Sequence, residues 1–264
     1  MMGIATVRDG FPLYYDCVTE AGVAAAALNF PISAKYADFR AGKLNLASFE
    51  IIPYVLGRCA DLGEVRKCLA DLNVTAIAFS EELAATPLHW IFADKSGSLV
   101  LESTAEGIKI YENTVGVLTN EPGFDYQLTR LADYMGLGSM PPQNNFSSDF
   151  EPCRYSRGLG GFGLPGDFSS SSRFVRATFV KNHISTEGAG KIERFFHILG
   201  SVAVPRGCVM TDGGREVETV YRSCVDLDER TYHYSTYSSP EIRFFRLGDS
   251  MLDGERLIRY AVNI

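Results

Sequence analysis

The sequence has little positive charge and no cluster of basic residues. Its 264 residues include 25 Lys and Arg against 32 Asp and Glu, which gives a formal net charge of −7. Nucleic-acid binding needs a basic face that neutralises phosphates, so this balance argues against a nucleic acid as partner. Apolar runs are far shorter than the roughly 20 residues that span a bilayer. We therefore expect no membrane partner.

Motifs for metal ligation and for a disulfide framework are missing as well. The six cysteines are scattered without a CxxC pair, and the four histidines form no HExxH motif. The opening residues, MMGIATVRDG, lack the charged and apolar regions of a secretory signal. These features predict reduced, mostly buried thiols in a cytoplasmic protein that needs no metal or other cofactor.

The patterns that are present alternate between strand and helix. Strand signals open the chain, residues 45–59 and 61–73 have helical spacing, and a meander of strands follows from residue 87. Asp61 is a candidate N-cap, with Glu64 at the capping-box position. Further helices and a final set of strands complete the chain. With no internal repeat and no linker, this order predicts one α+β domain over residues 1–264, with antiparallel sheets covered by helices.

Three polar residues stand where elements begin or end. Asn29 in AALNFP and Asn120 in GVLTNEP each follow a strand and precede a proline, and Arg173 follows four serines at the start of a helix. A cation is disfavoured at a helix N-terminus, so other groups should converge on Arg173. Ordinary roles stay open: a turn hydrogen bond for each asparagine and a surface charge for the arginine.

Five segments give a more specific indication. The sequence closely resembles the choloylglycine hydrolase family of conjugated bile salt hydrolases and penicillin V acylases from Met1 nearly to Ile264. The segments that carry the resemblance are AGVAAAALNFP, PLHWIFADKSGSLVLE, VGVLTNEPGFDYQL, LPGDFSSSSRFVRA and FFHILGSVAVPRG. The resemblance implies an N-terminal-nucleophile hydrolase fold, an αββα sandwich of two antiparallel sheets between helical layers, here lacking the first hairpin. It also implies cofactor-free cleavage of linear amides and a homotetramer, formed partly through the Gly/Pro-rich stretch around residues 140–166.

The resemblance assigns roles to individual residues. Asn29 and Asn120 match the asparagines of an oxyanion hole, and Arg173 matches the arginine beside the nucleophilic sulfur. An apolar trough for the acyl part of a small-molecule substrate would be lined by Phe79, Leu83 and Leu88, each of which could equally be ordinary core. Arg8 departs from the aromatic residue that relatives often carry in that trough.

The nucleophile of the family has no counterpart in these residues. Family members begin with a cysteine whose α-amino group is the base, and an arginine and an aspartate nearby complete the site. Cys17 lies inside a predicted strand and cannot supply a terminal amine. One hypothesis is therefore a hydrolase of glycine- or taurine-conjugated bile salts whose N-terminal segment is absent from this sequence. The alternatives are a penicillin V acylase-like amidase and an inactive homologue that acts only in binding or assembly.

Overall fold

A computed structural model describes residues 1–188, 190–248, 254 and 256–262. The strands of the described part are β1 (Met2–Arg8), β2 (Phe11–Val18), β3 (Ala24–Asn29), β4 (Leu44–Ala47), β5 (Leu72–Thr75), β6 (Leu88–Asp94), β7 (Gly97–Thr104), β8 (Gly107–Glu112), β9 (Val209–Met210), β10 (Glu216–Val217), β11 (Tyr221–Asp226), β12 (Thr231–Thr236) and β13 (Arg243–Arg246). The α-helices of the same residues are α1 (Ile51–Leu56), α2 (Leu62–Ala70), α3 (Phe124–Arg130), α4 (Ser170–His183) and α5 (Lys191–Gly200).

Two antiparallel sheets form the centre of the fold. The larger has six strands in the order β1-β2-β3-β6-β7-β8, and the smaller has the order β11-β12-β13. Helices α1 and α2 cover one face of the large sheet, where Val55 and Val65 share a buried core with Phe92 and Leu99. The opposite face packs on the small sheet, whose outer side contacts α5, with α4 beside it. This arrangement is the predicted αββα sandwich.

Asp16 joins the two sheets by polar contacts. It lies on β2, and its carboxylate accepts hydrogen bonds from the hydroxyls of Tyr221 (2.7 Å), Ser223 (3.1 Å) and Tyr232 on the small sheet. Desolvation between the sheets raises the pKa of Asp16, although these hydroxyls oppose the shift. The sandwich therefore contains a buried polar link beside its apolar contacts.

The helix over residues 45–59 is much shorter than its spacing predicts. Helix α1 covers Ile51–Leu56 alone, while Leu44–Ala47 forms strand β4 and pairs in parallel with β5. The partners lie 28 positions apart in the sequence, as Leu44 with Leu72. Local periodicity cannot report such a pairing, so this part of the prediction was wrong.

The N-terminus of α2 is as predicted. Asp61 is the N-cap, and its Oδ1 accepts a hydrogen bond from the Glu64 amide at 2.8 Å. In return Glu64 Oε2 accepts from the amide of Ala60, one residue before the cap, at 2.8 Å.

Among the described residues, no helix has both the length and the apolar character needed to cross a bilayer.

Candidate active site

Asn29, Asn120 and Arg173 meet in one hydrogen-bonded chain. The side-chain amide of Asn120 donates from Nδ2 to the backbone carbonyl of Asn29 at 2.8 Å. The Oδ1 atom of the same side chain accepts from the Arg173 guanidinium at 2.8 Å. Residues separated by 91 and 53 positions in the sequence thus share one small region, at the end of β3 and the start of α4.

The start of α4 orients the guanidinium of Arg173. Ser169 caps the helix by accepting from the Ser172 amide, and Arg173 Nε donates to the Phe168 carbonyl at 3.2 Å. Desolvation lowers the pKa of Arg173, and the neighbouring Arg176 adds to the shift. An arginine nevertheless stays protonated in proteins, so a half-buried cation stands at this point. Its contacts with two oxygen acceptors offset the unfavourable helix dipole.

Asp167 holds the same turn from outside the helix. Its carboxylate accepts from the Ser172 hydroxyl at 2.6 Å and from the Ser169 amide at 2.9 Å. Hydrogen bonds from Ser169 and then Ser172 hold the pKa of Asp167 well below its usual range. The run of serines is therefore a set of donors that fixes the helix start, which explains its position before Arg173.

The loop that carries Asn120 is hydrogen-bonded to the start of α4. The Asn120 amide donates to Ser170 Oγ at 2.7 Å, and Ser170 Oγ donates to Thr119 Oγ1 at 2.9 Å. These bonds tie the loop to the first residue of α4. Asn120 and Arg173 are consequently positioned by the same serine-rich turn.

A buried pair, His89 and Glu102, supports this loop from below. His89 Nε2 lies 2.7 Å from the Thr119 carbonyl, and its Nδ1 lies 3.3 Å from Glu102 Oε1. Because a carbonyl can only accept, Nε2 carries a hydrogen. Glu102 Oε1 also accepts from the Phe124 amide at 2.9 Å. The pair thereby holds a residue on each side of Asn120, and both side chains are fully buried.

Sequence reasoning missed His89 and Glu102, although a signal exists. Each is a polar residue inside an apolar strand segment, LHWIF and LVLES, and the β6–β7 register that pairs Trp90 with Leu101 sets the two opposite each other. Buried ionisable residues are rare unless paired. Two such interruptions on neighbouring strands could have indicated a buried polar pair.

Glu121 is a third residue of the candidate site that sequence reasoning missed. Its Oε1 accepts from the amides of Ile32 (2.8 Å) and Ser33 (2.9 Å), and its Oε2 accepts from the Ser33 hydroxyl at 2.7 Å. Ile32 and Ser33 follow Asn29 in the chain, just as Glu121 follows Asn120. One carboxylate therefore clamps together the two loops that carry the asparagines.

Phe79, Leu83 and Leu88 line one cavity of about 360 Å³. Its other walls include Phe49 and Trp90, and the rings of Phe49 and Phe79 meet edge to face with centroids 5.2 Å apart. The cavity is mostly apolar, as expected of a site for a rigid hydrophobic ligand. Asn120 does not line it. The cavity and the candidate active site are adjacent at Leu88, which lines the cavity and pairs directly with Asn29 in the β3–β6 ladder.

The sequence model of the protein family described as "linear amide C-N hydrolases, choloylglycine hydrolase family" matches residues 1–260 of this chain. The chain belongs to the choloylglycine hydrolase family. It is 48% identical over 265 residues to the bile salt hydrolase/transferase of Lactiplantibacillus plantarum, covering 99% of this chain and 82% of that protein.

Solved structures agree with this membership. A mutant of the conjugated bile acid hydrolase from Clostridium perfringens superposes with a TM-score of 0.93 at 34% identity, over 99% of this chain and 80% of that one. Penicillin V acylase from Agrobacterium tumefaciens is more distant, with a TM-score of 0.68 at 25% identity over 89% of this chain and 66% of that one. The fold is therefore that of bile acid hydrolases and penicillin V acylases.

The cysteines of this family member differ in their surroundings. Cys17, Cys59 and Cys224 are buried, Cys68 is half-buried, and Cys153 and Cys208 are exposed. Only three of the six thiols are buried, so the expectation of mostly buried thiols was wrong. Burial raises the pKa of the Cys17 thiol to about 12. Such a thiol carries almost no thiolate near neutral pH, which argues against Cys17 as a nucleophile.

The described residues also lack a group of three or more His, Cys, Asp or Glu side chains arranged to hold a metal ion. The polar groups that converge at the site are amides, hydroxyls and a guanidinium. They can stabilise negative charge on oxygen or sulfur.

Proposed function

We propose that this chain forms the acyl-binding and oxyanion-binding parts of a hydrolase that cleaves the amide of glycine- or taurine-conjugated bile salts. The observation that carries the proposal is the Asn29–Asn120–Arg173 hydrogen-bonded chain beside an apolar cavity. The 48% identity to a bile salt hydrolase/transferase favours bile salts as the substrate class. Residues 1–264 act as a single domain.

The reaction is an acyl transfer through a cysteine. A thiolate next to Arg173 attacks the amide carbonyl of the bound conjugate and forms a tetrahedral intermediate. The α-amino group of the cysteine has by then accepted the proton of the thiol. Collapse of the intermediate releases glycine or taurine, whose nitrogen takes that proton from the α-ammonium group, and leaves a thioester. Water then cleaves the thioester, releases the bile acid and restores the thiol. No cofactor takes part.

Each site residue has a separate role in this scheme. The Arg173 cation favours the thiolate over the thiol. Asn120 Nδ2 carries two hydrogens, one of which binds the Asn29 carbonyl, so the other is free to donate to the oxyanion. The Asn29 side-chain amide is exposed and has no hydrogen-bond partner among the described residues, which leaves it available as the second donor. Phe79, Leu83 and Leu88 hold the steroid.

The nucleophile in this proposal is an N-terminal cysteine. The 264 residues begin with Met1 and Met2, and no cysteine precedes Cys17. A penicillin V acylase-like amidase is the second candidate, supported by the more distant structural likeness. The third candidate is a protein that binds or assembles without turnover. The coding DNA upstream separates them: an in-frame Met-Cys start favours an enzyme, and an immediate stop favours the third candidate.

The arm over residues 140–166 supports a homotetramer. It exposes large apolar side chains that a monomer would leave in water: Met140 (76% exposed), Phe146 (87%), Tyr155 (80%) and Phe162 (80%). Exposed apolar surface of this kind marks contact with another protein. We propose that the assembly is cytoplasmic, in keeping with cysteines that are scattered along the sequence without a CxxC pair.

The deciding experiment adds a family-type N-terminal hairpin that begins with cysteine. We expect the extended chain to hydrolyse glycine- and taurine-conjugated bile salts faster than penicillin V, and to lose activity when that cysteine is replaced by alanine. The 264-residue chain alone should show no turnover, because nothing activated is present to attack. Turnover by the 264-residue chain that resists thiol alkylation would contradict the proposal. Faster cleavage of penicillin V would favour the second candidate.

A further inference from the structure

One charged residue lines the cavity that holds Phe79, Leu83 and Leu88. It is Arg8, at the last position of β1, and the remaining lining residues are apolar or uncharged. Among the described residues the Arg8 guanidinium has no hydrogen-bond or ion-pair partner. It therefore offers five N–H donors to whatever occupies the cavity.

Arg8 lies at the opposite side of the cavity from the candidate active site. Leu88, which pairs with Asn29, belongs to the wall nearest to the asparagines. Arg8 pairs with Phe11 on β2 and is separated from β3 by two strand spacings, about 10 Å. A ligand whose carbonyl lies at Asn29 and Asn120 would direct the far end of its acyl body towards Arg8.

The apolar walls between these two ends of the cavity strengthen a hydrogen bond from Arg8 to a bound ligand. A filled apolar cavity excludes water, and charge-assisted hydrogen bonds are stronger there than in water. A wholly apolar ligand would desolvate the guanidinium without replacing its water, which costs free energy. A ligand with an oxygen acceptor at its far end would replace that water with a direct bond.

We propose that Arg8 is a specificity-determining residue that selects acyl bodies with an oxygen acceptor, neutral or anionic, at the end remote from the scissile amide. For a steroid this group is a hydroxyl or a sulfate ester on the terminal ring. The proposal rests on the proposed function, because the orientation of the ligand follows from the role of Asn29 and Asn120. It adds a preference within that substrate class.

The 264-residue chain can test this inference without turnover. Trp90 is its only tryptophan and lines the same cavity, so intrinsic fluorescence reports occupancy. Three probes differ at one ring position: the glycine conjugates of 5β-cholanic acid, of lithocholic acid and of lithocholic acid 3-sulfate. They carry no oxygen, a hydroxyl and a sulfate there, respectively. Dissociation constants for each probe give the preference directly.

Variants at an exposed position make the comparison clean. Arg8→Met removes the charge at similar length, and Arg8→Lys keeps the charge but loses the planar fork. Arg8 is exposed at the hairpin end, so both variants should fold. Arg40→Met is the matched control, because Arg40 is also exposed and lies outside the cavity. Far-ultraviolet circular dichroism of each variant verifies the fold.

We expect the wild-type chain to bind the sulfate more tightly than the unsubstituted conjugate by about tenfold or more, with the hydroxyl between them. Arg8→Met should remove most of this preference, Arg8→Lys should keep part of it, and Arg40→Met should leave it unchanged. An equal preference in Arg8→Met and wild type would overturn the role of Arg8 while leaving steroid binding intact. Failure of all three probes to bind the wild type would overturn the proposed function, and the Arg8 inference with it.

Discussion

The loop around Asn120 and the arm over residues 140–166 are both irregular, yet they are held in opposite ways. The Asn120 loop is fixed by buried polar groups, among them His89 and Glu102, and by the Glu121 clamp. The arm has local contacts, such as the ring contact of Phe146 with Phe150, and exposes most of its large apolar side chains. Lack of regular structure therefore says little about rigidity. A loop is rigid when its polar groups find buried partners.

This difference fits the different tasks that we propose for the two regions. Catalysis gains from donors that are fixed before the reaction, because no free energy is then spent on orienting them. Assembly needs an apolar surface that remains free until another subunit covers it. Four predictions test how these regions are held, and the first three each pair a substitution with a control elsewhere in the chain.

The largest effect is expected at Asn120. In the hairpin-extended enzyme, Asn120→Ala removes an oxyanion donor and should lower kcat by roughly 10²–10³-fold. Steady-state hydrolysis of a glycine-conjugated bile salt measures it. Asn182→Ala, at an exposed amide on α4, is the control and should leave kcat unchanged. A kcat within about twofold of wild type for Asn120→Ala would exclude the proposed role.

The buried support of the loop should matter next. Glu102→Leu leaves the Phe124 amide and His89 Nδ1 without their partner, and each orphaned buried group costs about 1–3 kcal/mol of unfolding free energy. Urea denaturation of the 264-residue chain measures the loss. Glu187→Leu serves as control, because this exposed carboxylate has no ion-pair or hydrogen-bond partner among the described residues. Equal stability of the two variants would show that the buried pair does not stabilise the loop.

Substitutions in the arm should affect the oligomeric state and leave the stability of the fold nearly unchanged. Phe146→Ser combined with Phe162→Ser removes exposed apolar surface, so the unfolding free energy should change by less than about 0.5 kcal/mol. The proposed tetramer should instead dissociate, as measured by analytical ultracentrifugation. Phe39→Ser, at a residue 73% exposed but outside the arm, should leave the oligomeric state unchanged. A tetramer that survives the double substitution would argue against assembly through this arm.

The smallest effect concerns pH. Because hydrogen bonds lower the folded-state pKa of Asp167 below its usual 3.8, its contribution to stability is fully present above that pH. The contribution is lost as the pH falls towards the folded-state pKa. The stability difference between wild type and Asp167→Asn should therefore shrink on acidification below 3.8. Denaturant titrations at several pH values test this, and a difference that grows instead would give the shift the opposite sign.

Much of the site could be read from the sequence because its parts are marked locally. Asn29 and Asn120 each stand two residues before a proline, and four serines precede Arg173, so each position has a signal within a few residues. The strand expected before Asn120 is absent, because β8 ends at Glu112 and Asn120 lies in the loop that follows. The Asp61 cap and the amphipathic helices are equally local. The resemblance of five segments to the family then predicted that these residues belong to one site. Periodicity alone could not predict this.

The supporting contacts could not be read in this way. The Glu121 clamp joins residues 88 and 89 positions apart, and the His89 contact with Thr119 spans 30 positions. Strand β4 overlaps the start of a segment with helical spacing, because pairing with β5 outweighed local preference. None of these partners is near enough in the chain to leave a periodic pattern.

The sequence by itself determined an α+β domain of antiparallel sheets covered by helices, the helix cap at Asp61 and the identity of the polar residues of the candidate site. Alternation and capping act between near neighbours, so the order of residues suffices to specify them. Only the tertiary structure decided that Asn29, Asn120 and Arg173 share hydrogen bonds, that His89 and Glu102 lie beneath them, and that Arg8 faces the cavity. Those relations depend on how distant strands pair and pack, because burial gives a polar group its partner only after the chain has folded.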